Sequence, residues 1–216
     1  MNKKQIILVV IGVAIIIALS IYHFSRDIRT VDRTGESKLP EINISSNDSQ
    51  TINQYLKDLY ENYTADGKSN FNYTYDTYEN KISILVDIDI YDEHLDNYKK
   101  KYLGFNIDKD TGQFIDKEEV ANLFGYELTK IIEVANNRLN DYYEKESKSG
   151  YVDNNECNFE CYLSYVRGIT NIYDNIELVI KDKKLILYLN FEIDDFSSDK
   201  DYFDSLDYNP HEIVLD

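Results

Sequence analysis

The chain has 216 residues, 43% of them hydrophobic, and carries 23 Lys and Arg against 40 Asp and Glu for a formal charge of −17. That length supports one sizeable core, and such acidity excludes nucleic acids and other polyanions as partners of the body while favouring cations and basic proteins. The charge is unevenly placed: residues 1–38 hold six bases and three acids, so the remainder has seventeen bases against thirty-seven acids, a balance of −20.

The first residues divide into a short tail, 1–5, an almost wholly apolar run, Ile6 to Tyr22, and a polar stretch over 23–38. At 1.5 Å per residue the run reaches roughly 27 Å as a helix, close to the hydrocarbon thickness of a bilayer. It is long for the apolar part of a cleaved signal, so it reads as an uncleaved signal-anchor, although Ala18-Leu19-Ser20 offers small residues where a peptidase can cut. Arg26, Arg29, Arg33 and Lys38 come after the segment and only Lys3 and Lys4 precede it, which opposes the positive-inside rule. The expected outward placement of the C-terminal part therefore rests on the tail being too short for a domain. Residues 23–38 are expected to be a linker, with residues 39–216 as one extracytoplasmic domain.

Ile52, Tyr55, Leu56, Leu59, Tyr60 and Tyr63 share a helical face starting near Ser49 or Thr51. Phe71, Tyr73 and Tyr75 alternate with polar residues, Glu79-Asn80-Lys81 turns, and Ile82, Ile84, Val86, Ile88 and Ile90 alternate with Ser83, Leu85, Asp87 and Asp89. This predicts an antiparallel hairpin, extended by a strand from about Tyr98 to Ile107. Asp108 to Gly112 then forms a turn, since Asp bonds its own backbone and Gly takes positive φ. Asn106, Asp108 and Asp110 have acidic-loop spacing, but an EF-hand is disfavoured against the turn because Thr111 stands where Gly is needed and Lys117 where the loop ends in Glu.

Asp116 and Glu119 have capping-box spacing, Gly125 ends a short helical turn, and Leu128, Ile131, Ile132, Ala135, Leu139 and Tyr142 mark a long amphipathic helix. After a polar loop over Ser147 to Asn155, Ile176, Leu178 and Ile180 alternate, Lys181-Asp182-Lys183 turns, and Leu185, Leu187, Leu189, Phe191 and Ile193 alternate again. The expected fold is α+β: a mainly antiparallel sheet packed on one long and one or two shorter helices, preceded by a single N-terminal transmembrane helix.

Three segments carry a family resemblance: Leu39-Pro40-Glu41-Ile42 ahead of Ile52-Asn53 and a helix, Phe105-Asn106-Ile107-Asp108 through Thr111-Gly112 with Val120 to Phe124, and Lys184-Leu185-Ile186-Leu187-Tyr188-Leu189 to Ile193. Together they resemble the extracytoplasmic domain shared by RsiV-type anti-sigma factors and PdaC-type peptidoglycan deacetylases, over about residues 39–216. The resemblance implies a binding domain of the bacterial cell envelope and, as a partner, a basic wall-active protein such as lysozyme. Neither the cytoplasmic anti-sigma segment nor the metal-binding deacetylase domain of those families has a counterpart here, so the likeness transfers no enzymatic activity and no sigma-factor binding.

Candidate chemistry is sparse. Cys157 and Cys161 are the only cysteines, and in an extended strand they would stand about 13 Å apart, beyond the roughly 7 Å a disulfide tolerates. Phe159, Cys161, Leu163 and Tyr165 alternate as in a strand, while Asp153-Asn154-Asn155 reads as a turn, so an intrachain disulfide, buried thiols and a metal or redox pair all stay open. His94, among Tyr91, Asp92, Glu93 and Asp96, reads as a solvated loop histidine. Asp194, Asp195, Asp199, Asp201, Tyr202 and Asp204 form an acidic and aromatic loop, the expected binding surface, with calcium as an alternative occupant. No cofactor is expected. Two other functions compete: a peptidoglycan- or glycan-acting enzyme with paired carboxylates, and an assembly factor for another membrane protein.

Overall fold

The computed structural model describes residues 27–32, 38–65, 67–93, 97–153, 155–191 and 211–215, together with Ile15. Among them no helix is long and apolar enough to cross a membrane. The expected anchor over 6–22 lies outside the described residues apart from Ile15, as does His94.

The fold is α+β with three antiparallel sheets among the described residues, where one was expected. The first pairs β1 (Ile28–Asp32) with β2 (Lys38–Ile42). The second has the order β3 (Asn70–Tyr78), β4 (Lys81–Asp92), β5 (Asn97–Asp108) and β6 (Phe114–Ile115), and the third β7 (Ile176–Lys181), β8 (Lys184–Leu189) and β9 (Glu212–Leu215). Helix α1 (Asn47–Tyr63) lies on one side of the four-stranded sheet, where Ile52, Leu56 and Tyr60 meet Phe71, Ile82, Ile84, Val86 and Ile88. Helices α2 (Lys117–Leu123) and α3 (Leu128–Ser149) pack on the three-stranded sheet, as does the π-helical turn that follows α4 (Phe159–Cys161), with Val120, Ala121, Ile131, Ala135, Leu139 and Tyr162 in one core with Leu178, Leu185, Leu187 and Leu189. Between the sheets lies a smaller core of Leu85, Tyr102, Val179, Ile186 and Tyr188. The layers therefore run helix, sheet, sheet, helix. This explains why β8 is buried at every position from Leu185 to Leu189, both of its faces being covered.

Buried polar groups join the two large sheets. The outer edge of β7 faces β4 and β5, and its Ile180 N–H donates to Ser83 Oγ at 2.7 Å. Ser83 in turn donates to Asn106 Oδ1 at 2.6 Å, and Asn106 Nδ2 donates to the carbonyl of Leu178 at 2.7 Å. Two side chains thus satisfy an edge strand that would otherwise bury bare backbone. Gly104 permits the approach: a Cβ there would come within 3.0 Å of Val179 Cγ1 and 3.2 Å of the Leu178 carbonyl.

Local chemistry accounts for the element ends. Asp116 and Glu119 form the full capping box of α2. Asp108 accepts from Lys81 and from the Thr111 N–H, which hold its carboxyl well below the usual carboxylate range. Gly112, at φ 70°, closes that turn against Ser46, whose hydroxyl donates to the Gly112 carbonyl at 2.6 Å and caps α1 by accepting from Ser49 N. The helix therefore starts at Asn47, earlier than expected. Asp182 and Lys183, at φ 52° and 63°, make a two-residue hairpin turn whose positive φ values match the strand twist.

Several expectations need correction. Residues 23–38 are not all linker: β1 pairs with β2 in a register that sets Ile28 opposite Ile42, and Ile28 is buried in the α1 core. The polar look of this strand, with Arg29, Thr30 and Asp32 among its five residues, hid it. Helix α3 continues to Ser149, into the expected loop, and ends on Gly150 in the left-handed conformation. Residues 159–165 are not a strand. Asn158 accepts from the Cys161 N–H and starts α4, which runs into a π-helical turn over Tyr162–Val166. Strand β8 stops at Leu189, short of the expected end, because Asn190 turns its amide onto the backbone of Tyr102.

Candidate functional site

The face of β4 and β5 that meets the three-stranded sheet grades from dry to wet. At one end is the buried Ser83 and Asn106 pair, and next come Leu85 and Gly104 beneath Val179. Beyond them Asp87 stands opposite Tyr102, and Asp89 opposite Lys100, where the face opens to water. Strand alternation puts both aspartates on this side, with Val86 and Ile88 fully buried on the other.

Tyr102 and Tyr188, each 2% exposed, form the floor with ring centroids 4.8 Å apart. Asn190 braces that floor, accepting from Tyr102 N at 2.8 Å and donating to its carbonyl at 3.0 Å. The Tyr188 hydroxyl donates to Glu212 Oε2, whose carboxylate also lies 3.7 Å from Lys181. His211 is buried against Tyr102 at 5.3 Å and Phe191 at 4.6 Å. Its Nδ1 is 2.7 Å from the Leu189 carbonyl, which only accepts, so that nitrogen carries the proton.

This cluster concentrates shifted titrations. Burial pushes His211 down to about 4 against the Leu189 hydrogen bond, so the ring is neutral at physiological pH. Burial and the Glu212 carboxylate hold Tyr188 well above the ordinary phenol value. Asp87 is raised by burial and by Asp89, against the pull of Lys100. Lys100 loses some basicity to burial, but its 2.7 Å bond to Asp89 and the charge of Asp87 outweigh that and raise it. The arrangement is an aromatic floor with a carboxylate rim, Asp87, Asp89 and Glu212, in which Lys100 lies 2.7 Å from Asp89 and 3.4 Å from Asp87.

Of the residues expected from the sequence, Cys157 and Cys161 are joined in a disulfide, Cα atoms 5.3 Å apart, because the turn entering α4 draws them together. Asp194, Asp195, Asp199, Asp201, Tyr202 and Asp204 lie outside the described residues. The segment that carries them, 192–210, joins Phe191 to His211, two rings in contact at the cluster. Asp87, Lys100, Tyr188, Glu212 and His211 were not singled out from the sequence. The alternation of β4 placed Asp87 and Asp89 on its polar side, the one signal that pointed here.

A second charged feature also escaped. Arg167 and Glu146 are fully buried, with Arg167 Nη2 3.6 Å from Glu146 Oε2 and Arg167 Nε donating to the Tyr162 hydroxyl at 2.8 Å. The pair ties the end of α3 to the π-helical turn behind the disulfide. No family model, curated protein or solved structure matches this chain.

Proposed function

We propose that this chain is a membrane-anchored, extracytoplasmic binding domain of the bacterial cell envelope, akin to the RsiV and PdaC ectodomains, that receives a basic wall-active protein such as lysozyme. The observation that carries the reading is the carboxylate rim of Asp87, Asp89 and Glu212 over buried tyrosines; in sequence, residues 192–210, which lead into His211, contain seven acids against Lys200 alone. A field of one sign steers an oppositely charged protein and raises its association rate. The disulfide suits an oxidising compartment, and residues 6–22 have the length and apolarity of an anchor. The test is lysozyme binding at low and high salt, with Asp87→Asn/Asp89→Asn alongside. Binding should weaken with salt and fall about tenfold in the double variant, the effect of losing roughly 1.4 kcal/mol. No binding at low salt refutes the proposal.

One observation favours a second reading, hydrolysis of a glycan by paired carboxylates: Asp87 is raised toward an acid's role beside Asp89, which Lys100 holds by a 2.7 Å hydrogen bond. Zymography on cell-wall material separates the two, since clearing that disappears in Asp87→Asn belongs to an enzyme.

A further inference from the structure

Asp27 is the first residue of the described body. Its carbonyl accepts from Asn43 N at 2.7 Å and its carboxylate pairs with Lys109 at 2.8 Å, while Ile28 is buried. Only His23 to Arg26 lie between Tyr22 and Asp27. Five backbone steps reach at most about 17 Å when fully extended, and the headgroup layer takes up roughly 5–8 Å of it.

On the reading that residues 6–22 cross the bilayer, we infer that the domain stands on the phospholipid headgroups by one defined end, and that its acidic cluster is held out at the other. The membrane-facing end is the 43–46 loop with the Asp108–Gly112 turn, fixed to each other by the bond from Ser46 to Gly112, and beside them stand the exposed Phe114 of β6 and Lys109, paired with Asp27. An exposed aromatic suits the interface between headgroups and water. Strand β4 leaves this end at Lys81, opposite Asp108, and climbs away from it. At about 3.3 Å per residue, Asp87 and Asp89 lie some 20 and 26 Å further along. A basic protein then meets the rim clear of the headgroups, and the anionic lipid does not compete for it.

The chain contains no Trp, so single reporters can be introduced. Phe114→Trp, or Lys109→Trp as a second reporter at the same end, is compared with Tyr98→Trp at the far end of β5, each as full-length protein in phosphatidylcholine vesicles carrying shallowly brominated lipid. The near reporters should lose about half of their emission and the far one little, given the headgroup dimensions. If the protein floats with the vesicles but near and far reporters are quenched alike, or neither is, the inference fails and the anchor reading stands. If the protein does not float with the vesicles, the anchor reading fails and takes the inference with it.

Discussion

Replacing Ser83 with Ala tests the polar link between the two large sheets. The hydroxyl accepts from Ile180 N–H and donates to Asn106 Oδ1, both buried. Its removal leaves one backbone donor and one amide acceptor without these partners in a site too tightly packed for the groups to swing away. Each buried polar group left unsatisfied costs about 1–3 kcal/mol, so the expected loss is about 3 kcal/mol. In urea unfolding, with a slope of about 2 kcal/mol/M, that moves the midpoint down by roughly 1.5 M with the slope unchanged. Thr74→Ala, on the exposed side of β3, should change stability by no more than about 0.5 kcal/mol. Asn106→Ala also breaks the chain of bonds, so the double variant should lose at least about 1 kcal/mol less than the sum of the singles. A Ser83→Ala loss below about 1 kcal/mol, or strict additivity, refutes the idea that this chain of hydrogen bonds holds the sheets together.

The pH dependence of stability should show two opposed contributions. His211 is neutral when folded and titrates near 4 rather than 6.5, so the unfolded state binds more protons between those values. Its contribution, on the order of 3 kcal/mol, is present above pH 6.5 and lost as pH falls toward 4. Glu177 is pushed up to about 7 by burial, against the pull of Lys117, so it stabilises the fold below pH 4.5 and that stability is lost as pH rises through 7. The two slopes oppose each other between pH 4.5 and 6.5. Glu177→Gln should turn a nearly flat profile there into one that rises with pH, and identical slopes for the two proteins would contradict both assignments. Arg167→Met leaves the Glu146 carboxylate buried beside an apolar side chain and should cost about 3–5 kcal/mol in urea unfolding, much of it recovered by adding Glu146→Leu. A double variant no more stable than the single would count against the pair. Cys157→Ser/Cys161→Ser opens a loop with a sequence separation of only 4. The cost should be about 2 kcal/mol at most, and a loss of folding altogether would show that the bridge does more than constrain the unfolded chain.

Local patterns in the sequence were enough to determine the hairpins at Glu79-Asn80 and Asp182-Lys183, the capping box of Asp116 and Glu119, and the amphipathic α3. Each depends on neighbours within a few residues, where strand period, helix period and turn chemistry act directly. The acidity of the chain and the character of residues 6–22 are likewise properties of sequence alone. Tertiary structure decided the rest. Ser83 meets Ile180 across 97 residues, Asn106 meets Leu178 across 72 and Asn190 meets Tyr102 across 88, and no periodicity encodes those meetings. Asp87 and Asp89 look like the solvent side of a strand until the second sheet arrives and partly buries them, bringing Asp87 near Tyr188. Glu146 and Arg167 look like surface charges until α3 and the π-helical turn close over both. A side chain's chemistry is written in the chain, but its burial, and hence its pKa and its partners, depends on which distant surface covers it.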